Sequence, residues 1–277
     1  MNTPAENLEL ITTSAVAKAT APAKKLILFG LLGGIFTGLA AATSSMAAMN
    51  LLANPDTYGL GRLVAGMVFV GALACAILVG AELLPGNSLI VAALIKHKIS
   101  FDQLIRNWIL VLSFNIIGAA LIAYLISLTG LFSSAGDLYG AISIKIATSK
   151  SALDFVPALV SAILCNILIC SAVWMATSCK SSATKIIAIF FPITFFVTMG
   201  FENSIANAYY IPAGLLAKTN PTLTAAAENI GTNTSVLQPI GLYTNLVPVI
   251  LGNILGGTLL ITTLHLALSP KVTKNSA

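Results

Sequence analysis

Gly200-Phe201-Glu202-Asn203-Ser204-Ile205-Ala206-Asn207 places a carboxylate and two carboxamides in the middle of a long apolar run. Unpaired charge at bilayer depth costs several kcal/mol, so it persists only where it is paired or faces a wet cavity. The same pattern stands 120 residues earlier, as Gly80-Ala81-Glu82-Leu83-Leu84-Pro85-Gly86-Asn87. Both follow G-x-E-x-x-x-x-N, and both interrupt a hydrophobic segment.

The surroundings decide the solvent. The chain is 57% hydrophobic and 8% charged, with a mean hydropathy of +0.94, whereas soluble domains carry about 25% charged residues. This composition belongs to a polytopic membrane protein, and 277 residues hold about six spans of ~20 residues with their connections. The net charge of +5 sits at loop ends, which suits topology signals and not nucleic-acid binding. Cys75, Cys165, Cys170 and Cys179 form no CxxC or Cys/His spacing, so small core residues are expected and no metal or cofactor. No short basic region precedes the first apolar run, so no signal peptide is expected.

Taken in order, residues 1–25 are a mildly amphipathic cytoplasmic segment, too polar to span. A six-span membrane domain is expected over 26–268. Its spans are expected at 26–53, 63–95 (broken), 105–128, 155–177, 186–216 (broken) and 246–268. Residues 129–150 and 220–238 read as polar connections, and 269–277 as a basic cytoplasmic tail. In the broken spans, Pro and Gly end one helix and free backbone groups. The second halves are expected to begin near Asn87 and Ser204.

Lys18, Lys24, Lys25, Lys96, Lys98, Arg106, Lys180, Lys185, Lys271 and Lys274 fall on one side of these spans, and Arg62, Lys145, Lys150 and Lys218 on the other. The positive-inside bias makes the first side, with both termini, cytoplasmic.

Three spans separate the two G-x-E-x-x-x-x-N elements. They also separate Asn115-Ile116-Ile117-Gly118 from Asn253-Ile254-Leu255-Gly256. Matching elements three spans apart enter from opposite sides. The chain is therefore an inverted repeat, 26–128 against 155–268, and its paired broken helices point to a midplane site. Helix N-termini there present N–H groups and partial positive charge, which suits an anion. Asn87, Asn203 and Asn207 add amide donors. Asn166 sits near the centre of span four as a pore-lining or interhelical amide. Glu82 and Glu202 would repel an anion, so they are expected to brace the loops by accepting from loop N–H groups. No His/Cys/carboxylate constellation for nucleophilic or metal chemistry is present, so no enzyme and no catalytic residue is expected.

The stretches GAELLPGN (80–87), NWILVLSFNIIGA (107–119), CNILICSAVWMA (165–176) and GFENSIANAYYIPAGL (200–215) resemble the formate/nitrite transporter family, in the family's order and along essentially the whole chain. The resemblance implies six spans in an aquaporin-like fold, a homopentamer in the bacterial-type inner membrane, and a pore in each protomer. It implies small monovalent anions as substrates: formate, nitrite, lactate or hydrosulfide. By position it implies Leu83, Leu84 and Phe196 at apolar constrictions, which gate by dewetting. It places the basic pore residue at Lys150 and a pore-side amide at Asn166, with Pro85 in the bracing loop.

Two positions depart from the family pattern. Asn203 stands where the family usually has histidine, and Pro85 where it usually has threonine. Histidine titrates near neutral pH and exchanges protons with a passing weak acid; asparagine does not. The expected function is thus a passive formate channel, nitrite next, dependent on potential and little on pH. A proton-coupled symporter of weak acids and an aquaporin-like pore for neutral solutes are the alternatives.

Overall fold

The computed structural model describes residues 1–268; the expected basic tail lies outside the described residues. Every regular element described is helical: α1 (Pro4–Ala19), α2 (Ala23–Ala53), α3 (Tyr58–Val79), α4 (Leu84–Ile95), α5 (Phe101–Leu128), α6 (Leu138–Ser151), α7 (Phe155–Ser178), α8 (Ser182–Met199), α9 (Ser204–Lys218), α10 (Pro221–Asn229) and α11 (Gly241–Leu268). Six of them, α2, α3, α5, α7, α8 and α11, are long and apolar enough to cross a bilayer. Large apolar side chains on their outer faces, among them Leu63, Ile109, Val160, Phe191 and Leu259, stay exposed, as expected where lipid replaces water.

Both breaks form in one way. Gly80 ends α3 and Gly200 ends α8, each in the left-handed conformation, at φ 82° and 79°. A β-carbon would be strained there, so glycine marks the helix end. Three residues cross over in each case, and a short helix restarts. The second half of span two starts at Leu84, not near Asn87: Pro85 lies in its first turn, where a missing N–H costs nothing.

The packing repeats as well. α2 lies between α3 and α5, as α7 lies between α8 and α11, and α3 meets α8 at the centre. Glycines set the close approaches: Gly34 and Gly118 between α2 and α5, Gly252 and Gly256 between α7 and α11. At each of them a β-carbon would run into backbone of the facing helix. Association in lipid relies on such close packing and not on a hydrophobic drive.

Two connections expected to be irregular are helical. Within 129–150, α6 is almost wholly buried and packs on α9; within 220–238, α10 covers α6. The N-terminal segment forms α1, started by a Thr3/Glu6 capping box. One face of α1, with Leu8, Ile11, Ala15 and Ala19, is buried with Leu89, Ile90 and Ala93 of α4.

Candidate functional site

The site grows from the two breaks. After α8, the Glu202 carboxylate is bonded by the Lys150 ammonium, by Asn207 Nδ2 at 2.6 Å and by Asn245 Nδ2 at 3.2 Å. Asn207 also donates to Asn245 Oδ1 at 2.7 Å, and Asn245 to the Lys150 carbonyl at 2.9 Å. Asn253 closes the loop: its amide donates to the Glu202 carbonyl at 3.0 Å, and its Oδ1 accepts from the Ser204 N–H at 2.9 Å.

The first break has the same skeleton. Lys18 Nζ bonds Glu82 at 2.9 Å and Asn87 Oδ1 at 2.8 Å. Asn87 donates to Asn107 Oδ1 and Asn107 to the Lys18 carbonyl, both at 3.0 Å. Asn115 donates to the Glu82 carbonyl at 2.8 Å and accepts from the Leu84 N–H at 3.0 Å. Residue for residue, Lys18, Glu82, Asn87, Asn107 and Asn115 answer to Lys150, Glu202, Asn207, Asn245 and Asn253. The twofold pattern thus takes in α1 and α6, each with its lysine in the last turn.

The two necks differ at the residue after each glutamate. Asn203 caps α9: its Oδ1 accepts from the N–H groups of Ile205 and Ala206, at 2.9 and 3.0 Å. That fixes the carboxamide, because only the carbonyl end accepts. Its NH2 is the end left over. The equivalent residue on α4 is Leu83, which caps nothing.

Four cavities run in file between the necks. One of about 240 Å3 at the Lys18 face is lined by Lys18, Glu82, Asn87 and Leu83. It shares Leu73, Leu83 and Gly86 with an apolar chamber of about 30 Å3. That chamber shares Phe69, Phe196 and Asn203 with a polar one of about 40 Å3. The polar chamber shares Leu52, Arg62, Ile146 and Lys150 with an outer cavity of about 330 Å3 at the opposite face. Phe69 and Phe196 meet edge to face, with ring centroids 5.8 Å apart, and close the middle of the file beside Asn203.

The expected residues therefore divide. Asn203, Asn87, Asn207, Lys150, Leu83 and Phe196 line the file. Leu84 does not: it is fully buried with Ala21, Leu26 and Val111, because the first residue of α4 turns back into the protein. Asn166 lies off the file too. Fully buried, it donates to the carbonyls of Pro85 and Asn253 and to Ser88 Oγ, tying the two breaks together. The glutamates brace the loops through side chains and not through loop N–H groups. Those N–H groups go elsewhere: Glu82 N–H to the Phe29 carbonyl, Glu202 N–H to Ser161 Oγ. On α9, Asn203 and Asn253 take the first N–H groups, so that helix end offers its dipole to an ion but not its amides. Pro85 contributes its carbonyl, which accepts from Asn166, Ser88 and Cys170.

Sequence reasoning missed Phe69, Leu73, Arg62, Ser44, Ser45 and Tyr210, all lining the chambers. The charge bias marks Lys18 only as a topology signal. Its place was signalled by the equal spacing of Asn107 to Asn115 and Asn245 to Asn253, which sets the repeat's register. Neither histidine lines any of these four cavities, and among the described residues no group of three or more His, Cys, Asp or Glu is placed to hold a metal.

A family model described as "Formate/nitrite transporter" matches residues 5–267. The chain is 33% identical over 261 residues to the "Formate channel FocA" of Escherichia coli (strain K12), covering 93% of this chain and 91% of that protein. Among solved structures it resembles a "Pentameric formate channel with formate bound", with a TM-score of 0.78 and 28% identity over 88% of this chain and 96% of that one. An "FNT family ion channel" shares the fold at a TM-score of 0.81 and 23% identity, over 96% and 99% of the two chains.

Proposed function

The chain belongs to the formate/nitrite transporter family, a transporter family and not one of enzymes, and from that membership we propose that it is a pentameric channel for small monovalent anions, formate first and nitrite next. The relatives named above are a formate channel and a pentameric formate channel. The observation that carries the reading is the fixed carboxamide of Asn203. Its carbonyl is committed to α9, so an anion at the Phe69–Phe196 neck meets the NH2 end and the positive end of the α9 dipole. The two small chambers, of about 40 and 30 Å3, exceed the ~10–15 Å3 that one water needs. They suit an ion of a few heavy atoms stripped of most of its water. The apolar rings exclude water from an empty neck, and Arg62 and Lys145, which have no carboxylate partner among the described residues, favour anions at the mouth on the Lys150 side.

Nothing at the neck titrates near neutral pH, so flux follows the membrane potential and the anion gradient. With the Lys18 face cytoplasmic, formate moves either way as that gradient directs. Reconstituted vesicles test this with labelled formate at pH 5.5 and 7.5. Wild-type flux is expected to change less than about threefold. Asn203→His introduces a group with a pKa of about 6.5 and is expected to make the flux steeply pH-dependent. Steep pH dependence with matching proton uptake in the wild type would instead mark a proton-coupled symporter.

A further inference from the structure

The polar chamber beyond the aromatic pair contains a cation that the twofold pattern does not explain. Arg62, near the start of α3, has no counterpart in the second repeat. Its guanidinium is clamped to the end of α8: Nε donates to the Thr198 carbonyl at 3.2 Å, and Nη2 to the Val197 carbonyl. These are last-turn carbonyls, which carry partial negative charge, and that of Val197 also accepts from the Gly200 N–H at 3.0 Å. Gly200 leaves the room for this, because a β-carbon there would lie 2.8 Å from Nη2.

The clamp uses one edge of the fork. Five N–H donors are fixed in one plane, and among the described residues no protein acceptor takes Nη1. Nor does Arg62 have a carboxylate partner there. Lys150, on the same chamber, spends its charge on Glu202. Around the chamber stand three hydroxyls: Ser44, Ser45 and Tyr210, with Ser44 and Tyr210 at 3.5 Å from each other. Ser44 and Ser45 now donate to the Ala41 carbonyl, a weak local bond that a better acceptor replaces.

The geometry points to this chamber as a selectivity subsite, in which the free edge of Arg62 and the hydroxyls of Ser44, Ser45 and Tyr210 bind a planar anion with two oxygen acceptors in preference to a single-atom or spherical one. A planar fork matches two acceptors in one plane and gains nothing extra from one, whereas an ammonium treats both as point charges. The inference rests on the anion-channel reading and adds where and how the channel distinguishes its substrates. Sorting takes place on the Lys150 side of the aromatic pair, before the apolar chamber.

The test compares formate with hydrosulfide influx in vesicles containing wild type, Arg62→Lys or Tyr210→Phe. Arg62→Lys keeps the charge and loses the fork. The formate-to-hydrosulfide ratio is expected to fall roughly tenfold, the scale of one charge-assisted bond, with hydrosulfide flux retained. Tyr210→Phe leaves the clamp on α8 untouched and is expected to raise the half-saturating formate concentration by about two- to fivefold, as loss of one ordinary hydrogen bond does. An unchanged ratio in a folded, conducting Arg62→Lys channel overturns the inference and leaves the channel reading standing. Should Arg62→Lys not assemble, an unchanged formate half-saturation in Tyr210→Phe overturns it. A wild type that moves neither anion overturns both.

Discussion

The Lys18 neck and the Lys150 neck are built on one plan and end in different electrostatics. Each joins a lysine, a glutamate and three asparagines in the same order. At the Lys18 neck the charges cancel: Lys18 faces Glu82, and the adjoining cavity has no further ionisable lining. At the Lys150 neck the pair is joined by Arg62 and Lys145, both without a carboxylate partner among the described residues. Burial differs too. The Lys18 side chain is 32% exposed and that of Lys150 11%. What the twofold plan supplies is therefore the scaffold of a pathway. Its polarity comes from residues outside the plan, Arg62 and Asn203 above all.

The largest effects test the shared scaffold. Asn115→Leu leaves the Gly30 and Glu82 carbonyls and the Leu84 N–H without their bonds. Asn253→Leu does the same to Ala162, Glu202 and Ser204. At about 1–3 kcal/mol for each loop group left orphaned, the mid-helix carbonyls of Gly30 and Ala162 keeping their helical partners, both are expected to lower the unfolding midpoint in detergent severely and by similar amounts. A large difference between them would break the equivalence of the halves.

The next pair separates the halves. Glu202→Gln strands a buried ammonium and is expected to cost ~3–5 kcal/mol. Glu82→Gln leaves Lys18 free to hydrate and is expected to cost only about 1 kcal/mol or less. Equal losses in thermal unfolding would show that exposure does not distinguish the necks.

The smallest effect concerns what α1 has and α6 does not. Glu9 pairs with Lys96 and, at 3.9 Å, with Lys98. The hydrogen bond from Lys96 holds the Glu9 carboxyl below its ordinary range. A lowered folded-state value means that the contribution is present above the unfolded value, about 4.3, and fades as pH falls through the folded one. Between pH 5 and 8 the tether is constant, and Glu9→Gln is expected to cost less than ~1 kcal/mol because the carboxylate is largely exposed. Proteolysis within residues 1–20, compared between mutant and wild type, measures it.

The breaks were legible because they violate bilayer chemistry: Glu82 and Glu202 stand where no isolated charge persists. The repeat was legible because the same violation occurs twice. Register was harder. A start at Asn87 and a start at Leu84 differ by three residues, and that difference decides whether Leu83 or Leu84 faces the cavity. α6 hid because Gly140, Ser143, Thr148 and Ser149 look like loop composition, although burial makes small residues useful at the first three. Arg62, Ser44 and Tyr210 lie on three helices, far apart in the chain. No local pattern joins residues that meet only after packing.

The narrowness of the two middle chambers has a kinetic consequence. With about 40 and 30 Å3 on either side of Phe69 and Phe196, two anions cannot pass one another, so traffic is single file. Different permeant species then contend for the same places. Formate and nitrite presented together are expected to slow each other, each in proportion to the time it dwells, and the mixture to carry less than the sum of the two alone.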